Sequence, residues 1–194
     1  MTRDLWVVVP VKPLRDSKTR LAGTLDGGQR RALVRRLLRR TLRTVRHSRV
    51  ATGCLVVSRD PEVLHLARGE GASTLREIHS SLNAALAQAA DVLSGAMLVL
   101  PLDLPWLAPA SLLALSRRSG GRVAAIAPDR AQRGTNALLL QPPDLIRCAF
   151  GPGSFARHVE ALRHVGVTVR VVKRGELALD IDTPADLRAW LVRR

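Results

Sequence analysis

Lys12 and Lys18 share one short segment with Arg15 and Arg20, and Lys173 is the only other lysine among 31 basic residues. Where arginine is the default base, two close lysines point to a need for compact, flexible point charges, such as those that screen a nucleotide's phosphates. A basic surface loop is the plainer reading. Asp103 follows the uncharged run 96–102. A carboxylate at the end of a central strand suits Mg²⁺, which takes one or two carboxylates and fills its octahedron with water and phosphate oxygens. Asp180 and Asp182 flank Ile181, and one of the two is expected to face the site while the other faces away. A second carboxylate meeting Asp103 would complete the metal site, although Asp182 also reads as a cap for a helix starting at Pro184.

Gly151-Pro152-Gly153-Ser154 precedes a helical pattern, where glycines allow close backbone approach and a helix N-terminus offers free amides to an anion. The same residues also make a plain turn and N-cap. Gly134-Thr135-Asn136 is a weaker signal of the same kind. His47, His65, His79, His158 and His164 have no neighbours that suggest a nucleophile and its base, so they read as structural or exposed. The sequence contains no Gly-x-Ser-x-Gly, P-loop or dinucleotide fingerprint. Cys54 and Cys148 have neither disulfide nor zinc spacing.

These segments need elements to hold them. Residues 5–9 form a continuous apolar run with β-branched members, the mark of a strand buried on both faces. A loop to about Gly28 leads into an arginine-rich helix, a strand at 54–57, and a helix with Asp60 as N-cap and Pro61 at its first position. A short strand near 73–75, a helix over 82–93, a central strand at 97–100 and a helix from near Pro109 follow. Residues 123–127 and 137–140 read as a strand pair flanking the Gly134 loop, 154–164 as a helix, 167–172 as a strand and 177–179 as a short one. Thr183 to Asp186 cap a final helix. The alternation predicts an α/β fold of three layers, with a mostly parallel central sheet and right-handed crossovers. Its strand ends gather the segments that carry chemistry.

At 194 residues and 46% hydrophobic content, the chain is expected to form a single domain over 1–194. No apolar run approaches the ~18 residues that span a bilayer, and residues 1–4 lead straight into a strand without a signal-peptide core, so a cytoplasmic protein with no membrane partner is expected. The net charge of +15 raises the question of a polyanionic partner. Leu33, Val34, Leu37, Leu38, Leu42 and Val45 fall on one helical stripe within the arginine-rich stretch, which makes its arginines a solvated face. A nucleic-acid partner is not expected, because stacking aromatics are scarce.

In this order the segments closely resemble the phospholactate/phosphoenolpyruvate guanylyltransferases of coenzyme F420 biosynthesis, the CofC or FbiD family. The resemblance covers nearly the whole chain. It is carried by Val9-Pro10-Val11-Lys12 with Ser17-Lys18-Thr19-Arg20-Leu21, Leu82-Asn83-Ala84-Ala85-Leu86, Asp103-Leu104-Pro105, Gly134-Thr135-Asn136, Phe150-Gly151-Pro152-Gly153-Ser154 and Asp180-Ile181-Asp182-Thr183-Pro184. Leu102, Trp106 and Ser81 depart from the family pattern and bear on pocket shape and base contact. The resemblance implies a Rossmann-like nucleotidyltransferase fold and transfer of GMP from GTP to a phosphorylated three-carbon acid. It implies that Lys12, Lys18 and Arg20 hold the triphosphate, that Asn83 touches the guanosine, and that Asp103 with Asp182 binds Mg²⁺. Thr135, Asn136, Gly151, Gly153 and Ser154 would then bind the acceptor, and Lys12, Lys18 and Asp103 would be the catalytic residues. Phosphoenolpyruvate is favoured over 2-phospho-L-lactate and 3-phosphoglycerate, and a homodimer is an open possibility. The alternatives are another nucleotidyltransferase, of molybdopterin or sugar-phosphate type, and a basic nucleic-acid-binding module without catalysis.

Overall fold

The computed structural model describes residues 4–117 and 121–192. Met1 to Arg3, part of the lead-in discussed above, lie outside them. The described strands are β1 (Leu5–Pro10), β2 (Gly53–Ser58), β3 (Ser73–Arg76), β4 (Ala96–Val99), β5 (Val123–Pro128), β6 (Thr135–Gln141) and β7 (Val169–Val171). They form one sheet in the order β3-β2-β1-β4-β6-β5-β7. β6 runs antiparallel to β4 and β5, and every other pairing is parallel.

Period-two alternation sends the apolar strand residues into two cores. Leu5, Val7 and Val9 of β1, Leu98 of β4 and Leu139 of β6 enter one, while Val8, Met97, Val99, Leu138 and Leu140 enter the other. The first core is covered by α1 (Gly27–Ser48), α2 (Pro61–Gly69), α4 (Pro109–Ser116), α6 (Gly175–Ala178) and α7 (Pro184–Val192). The second lies beneath α3 (Leu82–Asp91) and α5 (Ser154–His164). This is the expected three-layer architecture. No helix among the described residues is long and apolar enough to cross a membrane.

α1 starts at a reciprocal capping box between Asp26 and Gln29, which satisfies two backbone donors at its first turn. It buries the six apolar residues read from the sequence, with Thr41 beside them. Truncating fully buried Leu38 to Ala would cost ~3 kcal/mol. The arginines stay outside, where Arg35 pairs with Glu62, and Arg39 and Arg43 lie 3.5 and 3.0 Å from Glu70.

Two features differ from expectation. Residues 177–179 do not form a strand: Leu177 N–H bonds to Arg174 O at 3.0 Å, closing the single turn of α6. An apolar triplet this short carries no period to tell strand from turn. In β6, Ala137 faces Ala127 but Thr135 faces Pro128, so Asn136 is an extra residue that breaks the alternation. Continued from Leu138, even alternation would send Thr135 toward α6 and Asn136 toward α5. Instead Asn136 Nδ2 donates to Leu177 O in α6 at 2.9 Å, and Thr135 meets His158 of α5.

Candidate active site

β1 delivers the lysine loop to the edge where the parallel strands end. Val11 N–H continues the pairing to Val57 O at 2.9 Å, and two short 3-10 turns follow at Leu14–Asp16 and Thr19–Leu21. The Asp60 carboxylate holds this loop from the next strand's end. One oxygen accepts from Glu62 N and caps α2, while the other accepts from Leu14 N at 2.8 Å. Buried Ser17 closes the loop on itself by donating to the carbonyls of Pro13 and Lys12. Lys18 sits at φ +54, a left-handed conformation that costs a non-glycine residue ~1 kcal/mol. Its ammonium lies 2.9 Å from Asp103 and 3.1 Å from Asp182, and Arg20 reaches Asp182 at 3.0 Å.

Asp103 follows β4, and its carbonyl accepts from Ile181 N–H at 3.0 Å, which draws the 180–182 segment alongside. Both aspartates of that segment face the site. The expectation that one would face away is corrected by the geometry of an extended chain, where residues two apart share a face and the one between points back. Ile181 is that intervening residue and is fully buried. One carboxylate oxygen from each of Asp103, Asp180 and Asp182 falls within 4.8 Å of the others. Thr183 and Asp186 cap α7 between themselves, with Thr183 N–H donating to Asp186 at 2.7 Å, so Asp182 is not needed as the cap.

The electrostatics follow from this crowding. Burial pushes Asp180 up to about 6, and the neighbouring Asp103 and Asp182 charges add to it. Burial works to lower the Lys18 ammonium, yet Asp103 and Asp182 outweigh it and hold its pKa above the ordinary lysine value. Three carboxylates beside a cavity match the all-oxygen preference of a hard divalent cation. Burial pushes Cys54 and Cys148 up to about 12, so neither thiol is a nucleophile at neutral pH.

A cavity of about 750 Å³ opens here, and Lys12, Lys18, Arg20, Asp103, Thr135, Asn136, Asp180 and Asp182 all line it. Arg59, Glu77 and Ser80 line it as well. Sequence reasoning missed these three, because each merely follows a strand end with no motif around it. Asn83, Gly151, Gly153 and Ser154 stand outside the lining. Asn83 clasps the Phe150 backbone with both ends of its amide, accepting from Phe150 N at 2.8 Å and donating to its carbonyl at 3.2 Å. Gly153, at φ +71, turns the chain into α5, whose first residue Ser154 is 1% exposed. Arg157 donates to the carbonyls of Ala149 and Pro152 and braces the turn.

A three-layer α/β sheet with a basic loop after its first strand and carboxylates at the shared edge defines a nucleotidyltransferase fold. The structure superposes on 4-diphosphocytidyl-2C-methyl-D-erythritol synthase of Anaerococcus prevotii with a TM-score of 0.67, at 10% identity and 100% coverage of both chains. A nucleotidyl transferase of Methanothermobacter gives 0.70, at 20% identity, covering 98% of this chain and 99% of that one. Sequence narrows the class. The profile of the family described as guanylyl transferase CofC like matches residues 5–193, and the chain belongs to that family. The phosphoenolpyruvate guanylyltransferase of Rubrobacter xylanophilus is 46% identical over 94% of this chain and 91% of that protein. The 2-phospho-L-lactate guanylyltransferase of Methanocaldococcus infernus is 31% identical over 93% and 81%.

Proposed function

We propose that this protein transfers GMP from GTP to phosphoenolpyruvate and releases pyrophosphate, as a step of coenzyme F420 biosynthesis. The observation that carries the reaction class is the convergence of Lys18, Asp103, Asp180 and Asp182 on one cavity lined by further cations. The preference for phosphoenolpyruvate rests on the name of the 46% identical relative.

Lys12, Lys18 and Arg20 bind the triphosphate and screen its charge from the incoming anion. Asp103 and Asp182, with Asp180 joining them, would hold Mg²⁺, which when bound neutralises phosphate oxygens and favours departure of pyrophosphate. Thr135 and Asn136 bind the phosphate and carboxylate of the acceptor from the cavity lining, and the turn at Gly151, Gly153 and Ser154, outside that lining, is linked to Thr135 through His158. The acceptor phosphate is already an anion at neutral pH, so no general base is needed. An acceptor oxygen forms the bond to the α-phosphorus while the bond from that phosphorus to the pyrophosphate oxygen breaks, provided the atoms are held in line. Acceptors that differ by one double bond or one hydroxyl are separated by a few contacts on the Thr135 side.

The test is pyrophosphate release by the purified protein with Mg²⁺, crossing GTP, ATP and CTP with phosphoenolpyruvate, 2-phospho-L-lactate and 3-phosphoglycerate. Release with GTP and phosphoenolpyruvate, abolished in Asp103→Asn, is the expected result. Release with another pair reassigns the substrate, and silence with every pair overturns the reading.

A further inference from the structure

His158 is fully buried, yet both of its ring nitrogens are engaged. Nε2 lies 2.9 Å from the amide nitrogen of Ala149, and Nδ1 lies 3.0 Å from Thr135 Oγ1. A backbone N–H can only donate, so Nε2 must offer its lone pair. The single proton of the neutral ring is therefore on Nδ1, and Thr135 Oγ1 accepts it. A charged ring would set two N–H groups against each other at Ala149. The Phe150 ring packs edge-on, with centroids 5.0 Å apart and planes at 67°, and restricts the imidazole's rotation. Burial, with Arg157 adding to it, pushes the His158 pKa down to about 4, which keeps the ring neutral at physiological pH.

The consequence falls on Thr135. Having accepted from His158, its hydroxyl still has a proton to give, and Thr135 lines the cavity. A freely rotating hydroxyl would present a lone pair part of the time, which repels an anionic oxygen. We propose that His158 is a positioning residue, whose Nδ1–H fixes the Thr135 hydroxyl as a donor into the cavity for an anionic oxygen of the phosphorylated acid. This rests on the acceptor assignment above. The same ring ties Ala149, and with it the turn leading to Ser154, to the start of β6, so this turn and the Thr135 segment share one anchor.

Two measurements test it. In protein labelled with ¹⁵N-histidine at neutral pH, His158 should show the neutral Nδ1–H tautomer, and its Nδ1 signal should shift when phosphoenolpyruvate is added with a non-hydrolysable GTP analogue. An Nε2–H tautomer, a charged ring or an unmoved signal overturns the proposal, and none of these depends on a variant that folds. In steady-state assays, His158→Phe should raise KM for the acceptor about tenfold, as expected for a lost hydrogen bond of ~1.4 kcal/mol, with KM for GTP unchanged. His158→Asn, which keeps a donor near Nδ1, should recover part of that loss. Equal changes in both KM values, or none in either, sink the proposal. A wild-type protein inactive with every phospho-acid would instead remove the acceptor assignment, which the tautomer measurement alone would survive.

Discussion

The Lys18 ammonium lies 2.9 Å from an Asp103 carboxylate oxygen, although 85 residues separate the two in sequence. Lys18 also touches Asp182, so one buried cation serves two of the three clustered acids. The lysine loop and the acid cluster thus hold each other in shape. The left-handed backbone at Lys18 is tolerable because these contacts offset it.

Lys18→Met should lower kcat/KM about a hundredfold, the usual scale for losing one preorganised charge. It should also lower Tm, because the carboxylates then repel with only Arg20, at Asp182, left as a counter-charge. Asp180 is already raised from 3.8 to about 6, and losing Lys18 raises it further. The native state then binds more protons than the unfolded state between those values, so stability recovers as pH falls. Scanning fluorimetry at pH 7.5 and 5 should show the deficit shrinking, and an equal deficit at both contradicts the account.

Asp180→Asn should stabilise the metal-free protein at neutral pH. An acid whose folded pKa lies above its unfolded value opposes folding once ionised, and removing that charge yields on the order of 1 kcal/mol after solvent screening. On the proposed reading Mg²⁺ or Mn²⁺ should raise the Tm of the wild type, and the same variant should lose that increase. Thermal scans with and without the ion check both halves.

His158 should make folding acid-sensitive. Its folded pKa is about 4 against an ordinary 6.5, so between those values the unfolded chain binds the extra proton and the native state does not. Stability contributed above pH 6.5 is lost as pH falls toward 4, by ~3 kcal/mol in total. Urea titrations across that range should show the slope in the wild type and a shallower one in His158→Asn. Parallel curves would contradict this.

Asn83→Ala should leave both backbone groups of Phe150 without their partner, at a cost of ~1–2 kcal/mol. On the proposed reading, loosening this turn disturbs the Thr135 segment with which it shares His158, so KM for the phospho-acid rises while KM for GTP holds. A change in KM for GTP alone would instead support the guanosine contact that family resemblance implies.

Much of this was legible in the sequence. Continuous apolar runs identify β1 and β4 because both their faces are buried, and the scarcity of lysine singles out Lys12 and Lys18. The stripe from Leu33 to Val45 marks the buried side of α1. The rest depends on tertiary placement. Nothing local marks Asn136 as an extra residue, nor separates His158 from the exposed histidines. Glu77 and Arg59 become cavity residues only because β2 and β3 end at the same edge as β1. Asp180 and Asp182 share a face by plain period-two geometry, which the sequence did contain and the expectation above misapplied.

The single reversed strand has a consequence for how the two substrates meet. On one side of the β4–β6 boundary lie the parallel strands β1 to β4, whose finishing ends lead to Lys12, Lys18, Arg59 and Asp103 of the cavity. On the other, β6 contributes its beginning, with Thr135 and Asn136 as its first residues. Under the proposed reading, donor and acceptor occupy separate territories whose common border is the β4–β6 seam, one of the two where chain direction flips, and Asp103 follows β4 there. Changes to the β5–β6 connection can therefore retune the acceptor while leaving the donor half of the fold intact.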